Sequence, residues 1–117
     1  MITRFAALRS PYDSNPSVDL NQSRILIVGG LPKMASLYRR LIEESGGTFE
    51  YHDGQVNRGT KILEQQVRRA DMILCPIDHN SHGAAWVVKK LGKKYKKPIR
   101  MLANSGLSTI SQMVLGL

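Results

Sequence analysis

The sequence predicts an α/β fold: a four-stranded parallel sheet in the order 2-1-3-4, layered between helices on both faces. Two observations carry this. Short apolar runs alternate four times with segments whose apolar residues recur at helical spacing, the signature of consecutive strand–helix units. The strands also close on glycine, proline or polar clusters that turn the chain quickly, and short right-handed crossovers leave few topologies open.

Residues 1–23 contain Ser10, Pro11, Asp13, Ser14, Asn15, Pro16, Ser17 and Asn21 with no sustained period, and read as a flexible N-terminal arm. Any ordered piece there is expected at Ile2–Leu8. The packed domain is expected over 24–117. It opens with Arg24–Val28, an apolar, β-branched run ending at Gly29-Gly30, as a buried strand ends in a tight turn. Pro32 suits a first helical position, and Met34, Leu37, Leu41 and Ile42 form an apolar stripe that Gly46-Gly47 stops. A second unit has the strand Thr48–His52, the turn Asp53-Gly54 and a helix within 58–70 using Ile62, Leu63, Val67 and Ala70. The third runs from Met72–Cys75 through a polar loop into a long helix striped by Ala84, Val87, Val88, Leu91 and Tyr95. The fourth has the strand Ile99–Leu102 and a helix with Leu107, Ile110, Met113 and Val114.

Composition narrows the function classes. The chain has 117 residues, with 17 Lys+Arg against 9 Asp+Glu for a net charge of +8. No run approaches the roughly 20 apolar residues of a membrane span, and Pro11 interrupts the N terminus too early for a secretory signal. One cysteine excludes an internal disulfide framework and an all-thiolate metal site within one chain. A soluble, cytoplasmic, basic protein is expected. The last acidic residue is Asp78; beyond it Lys89, Lys90, Lys93, Lys94, Lys96, Lys97 and Arg100 stand unopposed. Such a cluster attracts phosphate-rich polymers or serves only as a solvated helix face.

Ligands of doubly wound sheets gather beyond the carboxyl ends of the strands, where the chain reverses direction. That predicts a site from Gly29, Gly30, His52, Asp53, Cys75, Asp78, Ser81, His82 and Ser105. The Gly29-Gly30 turn allows close backbone approach but lacks the spaced glycines of a dinucleotide fingerprint. His52 at a strand end is a candidate acid, base or ligand, with Asp53 beside it to orient the ring, although Asp-Gly is also ordinary turn chemistry. The densest cluster is Cys75-Pro76-Ile77-Asp78-His79-Asn80-Ser81-His82, with a thiol, a carboxylate and two imidazoles. Asn80 or Ser81 suits a helix N-cap, which places His82 in the first turn, where the helix dipole favours the neutral, metal-ligating imidazole. Candidate metal ligands are therefore Cys75, His82, His79 and His52. In the expected strand order His52 and Cys75 start about 10 Å apart, too far for easy joint ligation of a bare ion. A wider guest would bridge them, and the missing side chains of Gly29 and Gly30 leave room for it. Haem is such a guest, since Cys75-Pro76 resembles a haem-regulatory dipeptide whose thiolate ligates iron.

The set Val28-Gly-Gly-Leu-Pro32, His52-Asp53-Gly54, Pro76-Ile-Asp-His-Asn-Ser-His82 and Ser105-Gly106-Leu107-Ser108 resembles an uncharacterised bacterial family, the domain of unknown function numbered twenty-three twenty-five. The resemblance covers 24–117 and implies a small Rossmann-like three-layer domain. It also implies that His52, Asp53, Asp78, Ser81 and His82 belong to the family's functional core. Many members carry a further cysteine in the helix after Ser-His; this chain has Gly92 in that neighbourhood, which argues against a two-thiol mechanism.

Three functions follow as expectations. The first is a ligand-binding or sensor module holding haem or a transition metal at the strand ends. The second is nucleic-acid binding through Lys89, Lys90, Lys93, Lys94 and Lys97, helped by Arg4 and Arg9 of the arm; with no stacking platform or recognition motif evident, sequence specificity should be weak. The third, a small enzyme in which His52 and Asp78 act as acid and base on a phosphorylated metabolite, lacks a complete constellation, so a binding role fits the residues better than an enzymatic one. Exposed sheet edges make a homo-oligomer a further expectation.

Overall fold

The structure of the chain, a computed structural model, describes residues 3–4, 18–57, 59–78, 80 and 82–115, with backbone alone at 3, 4, 18, 19, 82 and 115. Strands β1 (Thr3–Arg4) and β2 (Val18–Asp19) form a small antiparallel pair. Then come β3 (Arg24–Val28), α1 (Ala35–Glu44), β4 (Thr48–His52), α2 (Lys61–Arg69), β5 (Met72–Pro76), α3 (His82–Tyr95), β6 (Ile99–Leu102) and α4 (Leu107–Leu115). Strands β3 to β6 make one parallel sheet in the order β4-β3-β5-β6, the 2-1-3-4 arrangement expected from the strand–helix alternation.

The period-2 alternation of β3 explains the layering. Ile25 and Ile27 face one side and pack with Tyr38 and Ile42 of α1 and Ile110 and Val114 of α4. Leu26 and Val28 face the other and pack with Leu63 and Val67 of α2 and Ala84, Val88 and Leu91 of α3. Because both faces are covered, the central strand is apolar throughout rather than alternating. Each fully buried aliphatic side chain contributes about 1.5–3 kcal/mol to burial, so this pair of cores holds the domain together. An ionic clasp ties its edge: Glu50 of β4 accepts from Arg24 Nη1 at 2.8 Å and from Arg69 Nε and Nη2 at 2.6 and 2.9 Å. The Arg69 hydrogen bond is the main cause holding the Glu50 carboxyl below its usual range.

Several sequence expectations need correction. Leu37 is 40 % exposed, and Tyr38 lies in the core instead. The other expected positions hold, with Ile42 buried and Met34 and Leu41 packed against the same core, so that Tyr38 takes the place expected of Leu37. Ile62, expected on the inner face of α2, is 66 % exposed. Within the segment expected as an arm over 1–23, Leu20 is fully buried in the α1/α4 core. Backbone bonds from Leu20 N to Ser45 O and Gln22 N to Gly46 O, both 2.7 Å, dock this segment on the turn after α1. Residues 1–2 and 5–17, including Arg9 and most of the Ile2–Leu8 piece, lie outside the described residues. No helix among the described residues is long and apolar enough to cross a membrane.

Candidate functional site

Those of the polar residues singled out in the sequence that the structure describes lie at the carboxyl ends of β3 to β6, and the sheet divides them between its two faces. On the α2/α3 side stand His52, Gly54, Cys75 and Asn80. On the α1/α4 side stand Tyr38, Tyr51, Asp78 and Ser105.

Asn80 organises the first set. Its Nδ2 donates towards Val28 O at 3.0 Å, Pro76 O at 2.8 Å and Cys75 Sγ at 3.3 Å, pinning the loop after β5 across the ends of β3 and β5. The side chain lies over two glycines with positive φ, Gly29 at 91° and Gly54 at 88°. A Cβ on Gly29 would fall 2.2 Å from the Asn80 amide, and one on Gly54 would fall 2.6 Å from its Oδ1. The room that the missing Gly29 side chain was expected to leave for a wide guest is thus filled by Asn80. Likewise a Cβ on Gly30 would meet Ser105 Cβ at 3.1 Å and the Tyr38 hydroxyl at 3.4 Å. Glycine is needed at these turns so that protein, rather than ligand, approaches the backbone closely.

His52 is oriented by the backbone rather than by Asp53. Gly54 N donates to His52 Nδ1 at 3.0 Å, while the nearest Asp53 oxygen is 3.9 Å away and accepts from Gln55 N at 2.9 Å to close its own turn. With Nδ1 accepting, the neutral ring carries its proton on Nε2 and presents a donor there. Burial lowers the His52 pKa, opposed in part by the Asp53 charge, so the neutral form dominates at pH 7. Beyond this loop a shallow groove of about 300 Å³ runs between Gly54, Gln55, Val56, Asn57 and Gly83 at the start of α3.

Cys75 is fully buried among Leu26, Val28 and Val88, and burial pushes its thiol up to about 11. As it sits, it is a protonated core thiol, and thiolate ligation would require the Asn80 clasp to open. Among the described residues, no group of three or more His, Cys, Asp or Glu side chains converges to hold an ion. His79 and Ser81 lie outside the described residues, and His82 is described only as the first backbone residue of α3.

The second set was not legible as a group. Tyr38 OH donates to Ser105 O across the chain, and both residues are buried. Burial raises the Tyr38 pKa, with the Asp78 charge adding to it. Burial likewise raises that of Tyr51, with Tyr38 adding to it, so the three groups lie within electrostatic reach of one another. Two atoms here, Tyr51 OH and Asp78 Oδ1, are buried without a hydrogen-bond partner among the described residues. His52 and Asp78, the acid–base pair of the enzymatic expectation, belong to opposite faces and are not brought together. At Asn104, Oδ1 accepts from Gly106 N at 2.9 Å and Thr109 Oγ1 at 2.7 Å, closing the turn that presents Ser105.

Sequence reasoning missed Tyr38 because the α1 stripe was assigned to Leu37 beside it, and Tyr51 because the face taken by each residue of the short strand β4 was not assigned. Asn80 was weighed only as a helix cap; an amide between a strand end and a helix, facing two glycines, was the available signal. Trp86, passed over entirely, is 64 % exposed on α3.

Two proteins from Desulfitobacterium hafniense, each called a UPF0751 protein and taken from strains DSM 10664 / DCB-2 and Y51, are 28 % identical to this chain over 95 residues. The match covers 80 % of this chain and 93 % of theirs. Residues 24–116, which include both sets of polar groups, match the model of the family described as uncharacterized protein conserved in bacteria (DUF2325), and the chain belongs to that family.

Proposed function

We propose that this chain is a ligand-binding or sensor module that receives its guest at the carboxyl ends of the sheet. The observation that carries this is the pair of orphaned polar atoms, Tyr51 OH and Asp78 Oδ1, buried on one side of that rim. A buried polar atom left unpaired costs about 1–3 kcal/mol, so a guest offering an acceptor to the tyrosine and a donor to the carboxylate gains by pairing them. The neutral His52 adds an Nε2–H donor on the other side. Haem or a transition-metal ion is the guest class that the imidazoles of His79 and His82 would add; Cys75 joins it only with Asn80 displaced.

Thermal shift with hemin, divalent metals and a panel of small polar metabolites tests the reading. A guest that raises the melting temperature of the wild type, and less so that of Tyr51→Phe and Asp78→Asn, supports it. For haem, a Soret shift lost in His82→Ala but kept in Cys75→Ala identifies histidine ligation. No stabilisation by any class, or stabilisation identical in all variants, refutes it.

A second reading is favoured by a separate observation: Lys89, Lys90 and Lys93 are exposed along α3, and no acidic residue among those described pairs with them. That face suits a polyanion. Inorganic polyphosphate should bind there and dissociate between about 50 and 200 mM salt; salt-independent binding, or none, defeats it.

A further inference from the structure

The outward face of α3 carries more than charge. Along a helix that turns 100° per residue, Trp86, Lys89, Lys90 and Lys93 fall within one arc, opposite the buried Ala84, Val88 and Leu91. Burial gives no reason for a tryptophan in that arc. Trp86 is 64 % exposed, and its nearest cation, Lys90 Nζ, lies 5.0 Å from the ring centroid. The ammonium over the ring holds the indole against the helix and leaves much of the aromatic surface open. From Trp86 to Lys93 the helix rises about 10 Å, room for two or three nucleotides of an extended strand. By contrast Lys94, a quarter-turn round, is drawn to Glu64 of α2 at 3.4 Å, and Tyr95 is hydrogen-bonded to the same carboxylate. Within α3, the lysines without an acidic partner among the described residues are thus those that share the arc with the indole.

We propose that this arc binds single-stranded nucleic acid, with a base stacked on Trp86 and backbone phosphates on Lys89, Lys90 and Lys93. The inference rests on the polyanion reading of α3 and adds to it the base. An unpaired base is needed because a flat indole beside a short row of ammonium groups stacks on an exposed π-face, which a duplex does not offer, and reads no base edge. The sequence expectation of a basic patch without a stacking platform is revised accordingly.

Trp86 is the one tryptophan of the chain, so its emission reports the contact directly. Titration of the full chain with oligo(dT) at low salt should quench that emission. Three phosphate contacts give a slope of about −2 for log affinity against log salt, or roughly a 20-fold loss from 50 to 200 mM. The triple substitution Lys89→Gln, Lys90→Gln, Lys93→Gln should flatten that slope. Trp86→Ala, followed by anisotropy of a labelled oligonucleotide, should weaken binding about tenfold. These side chains are exposed, and circular dichroism would confirm that the variants fold. Oligonucleotide and polyphosphate binding equally, with emission unchanged and Trp86→Ala silent, would overturn the stacked base while leaving the polyanion surface standing. Binding of neither would remove both. A blue shift with anionic phosphatidylglycerol vesicles, without quenching by oligo(dT), would overturn the proposal in favour of a lipid surface.

Discussion

Replacing Asn80 tests the hinge of the candidate site. Asn80→Ala removes the donor shared by Val28 O, Pro76 O and Cys75 Sγ and empties the space above Gly29 and Gly54. Each net hydrogen bond is worth about 0.5–1.5 kcal/mol, and Asn80 is only partly buried, so water re-solvates some of the stranded carbonyls. A total loss of about 2–3 kcal/mol is expected, a fall in Tm of roughly 10–20 °C for a domain near 100 residues. Asn80→Asp makes the argument sharper. It keeps the shape but turns a donor into a carboxylate facing two carbonyl oxygens, so near neutral pH it should be less stable than the alanine variant. Urea unfolding followed by circular dichroism measures both. Cys75 should also react faster with a disulfide reagent in Asn80→Ala, since the amide covers the sulfur. An alanine variant within about 0.5 kcal/mol of wild type, or an aspartate variant as stable as the asparagine, would refute the clasp.

Tyr51→Phe, which deletes a buried hydroxyl without a partner among the described residues, should be neutral or stabilising by up to about 1 kcal/mol, whereas Tyr38→Phe, which breaks the bond to Ser105 O, should destabilise by a similar amount, both read by urea unfolding. The His52 pKa is lowered on folding, so the unfolded chain binds the extra proton: this contribution is fully present above about pH 6.5 and is lost as the pH falls below it. His52→Asn, whose Oδ1 keeps an acceptor for Gly54 N, should flatten the stability profile in that acidic window. At Gly92 a Cβ would lie 1.9 Å from Ile99 Cδ1 and 2.7 Å from its Cγ1, so Gly92→Ala should cost about 1 kcal/mol net of its better helix propensity, and adding Ile99→Val, which deletes the nearer methyl, should recover part of the loss in a double-mutant cycle. Lys96 ends α3 at φ 57°, with Lys97 N bonded back to Gly92 O at 2.8 Å, so Lys96→Gly should raise stability by up to about 1 kcal/mol.

What the sequence revealed and what it concealed follow from the same physics. Strand alternation and helical period are local, so β3 to β6 and their order could be read, and topology then placed Gly29, His52, Asp78 and Ser105 at one rim. Which face of the rim each side chain takes depends on strand parity, and that separates Tyr51 from its neighbour His52. Cys75 illustrates the limit. Chemical type marks it as a ligand, but its parity in β5 matches Ile73 and sends it into the core, where burial keeps it protonated. Leu37 and Tyr38 differ by one position in a stripe with 3.6 residues per turn, a margin that composition does not resolve. The indole of Trp86 escaped notice for the opposite reason: among lysines in an otherwise apolar helix, it counts as one more hydrophobe until its exposure is known.

β6 ends the sheet, with one side of its backbone ladder unpaired among the described residues, the kind of border along which identical chains zip together. Around that border stand Lys96, Lys97 and Arg100, with Pro98 withholding an amide. A two-fold union of β6 with its own copy would bring two sets of cations to one seam, and their repulsion would grow as salt is withdrawn. Positive charge at this margin thus opposes edge-to-edge pairing of like molecules, a guard against fibrous growth that needs neither a bulge nor a covering helix.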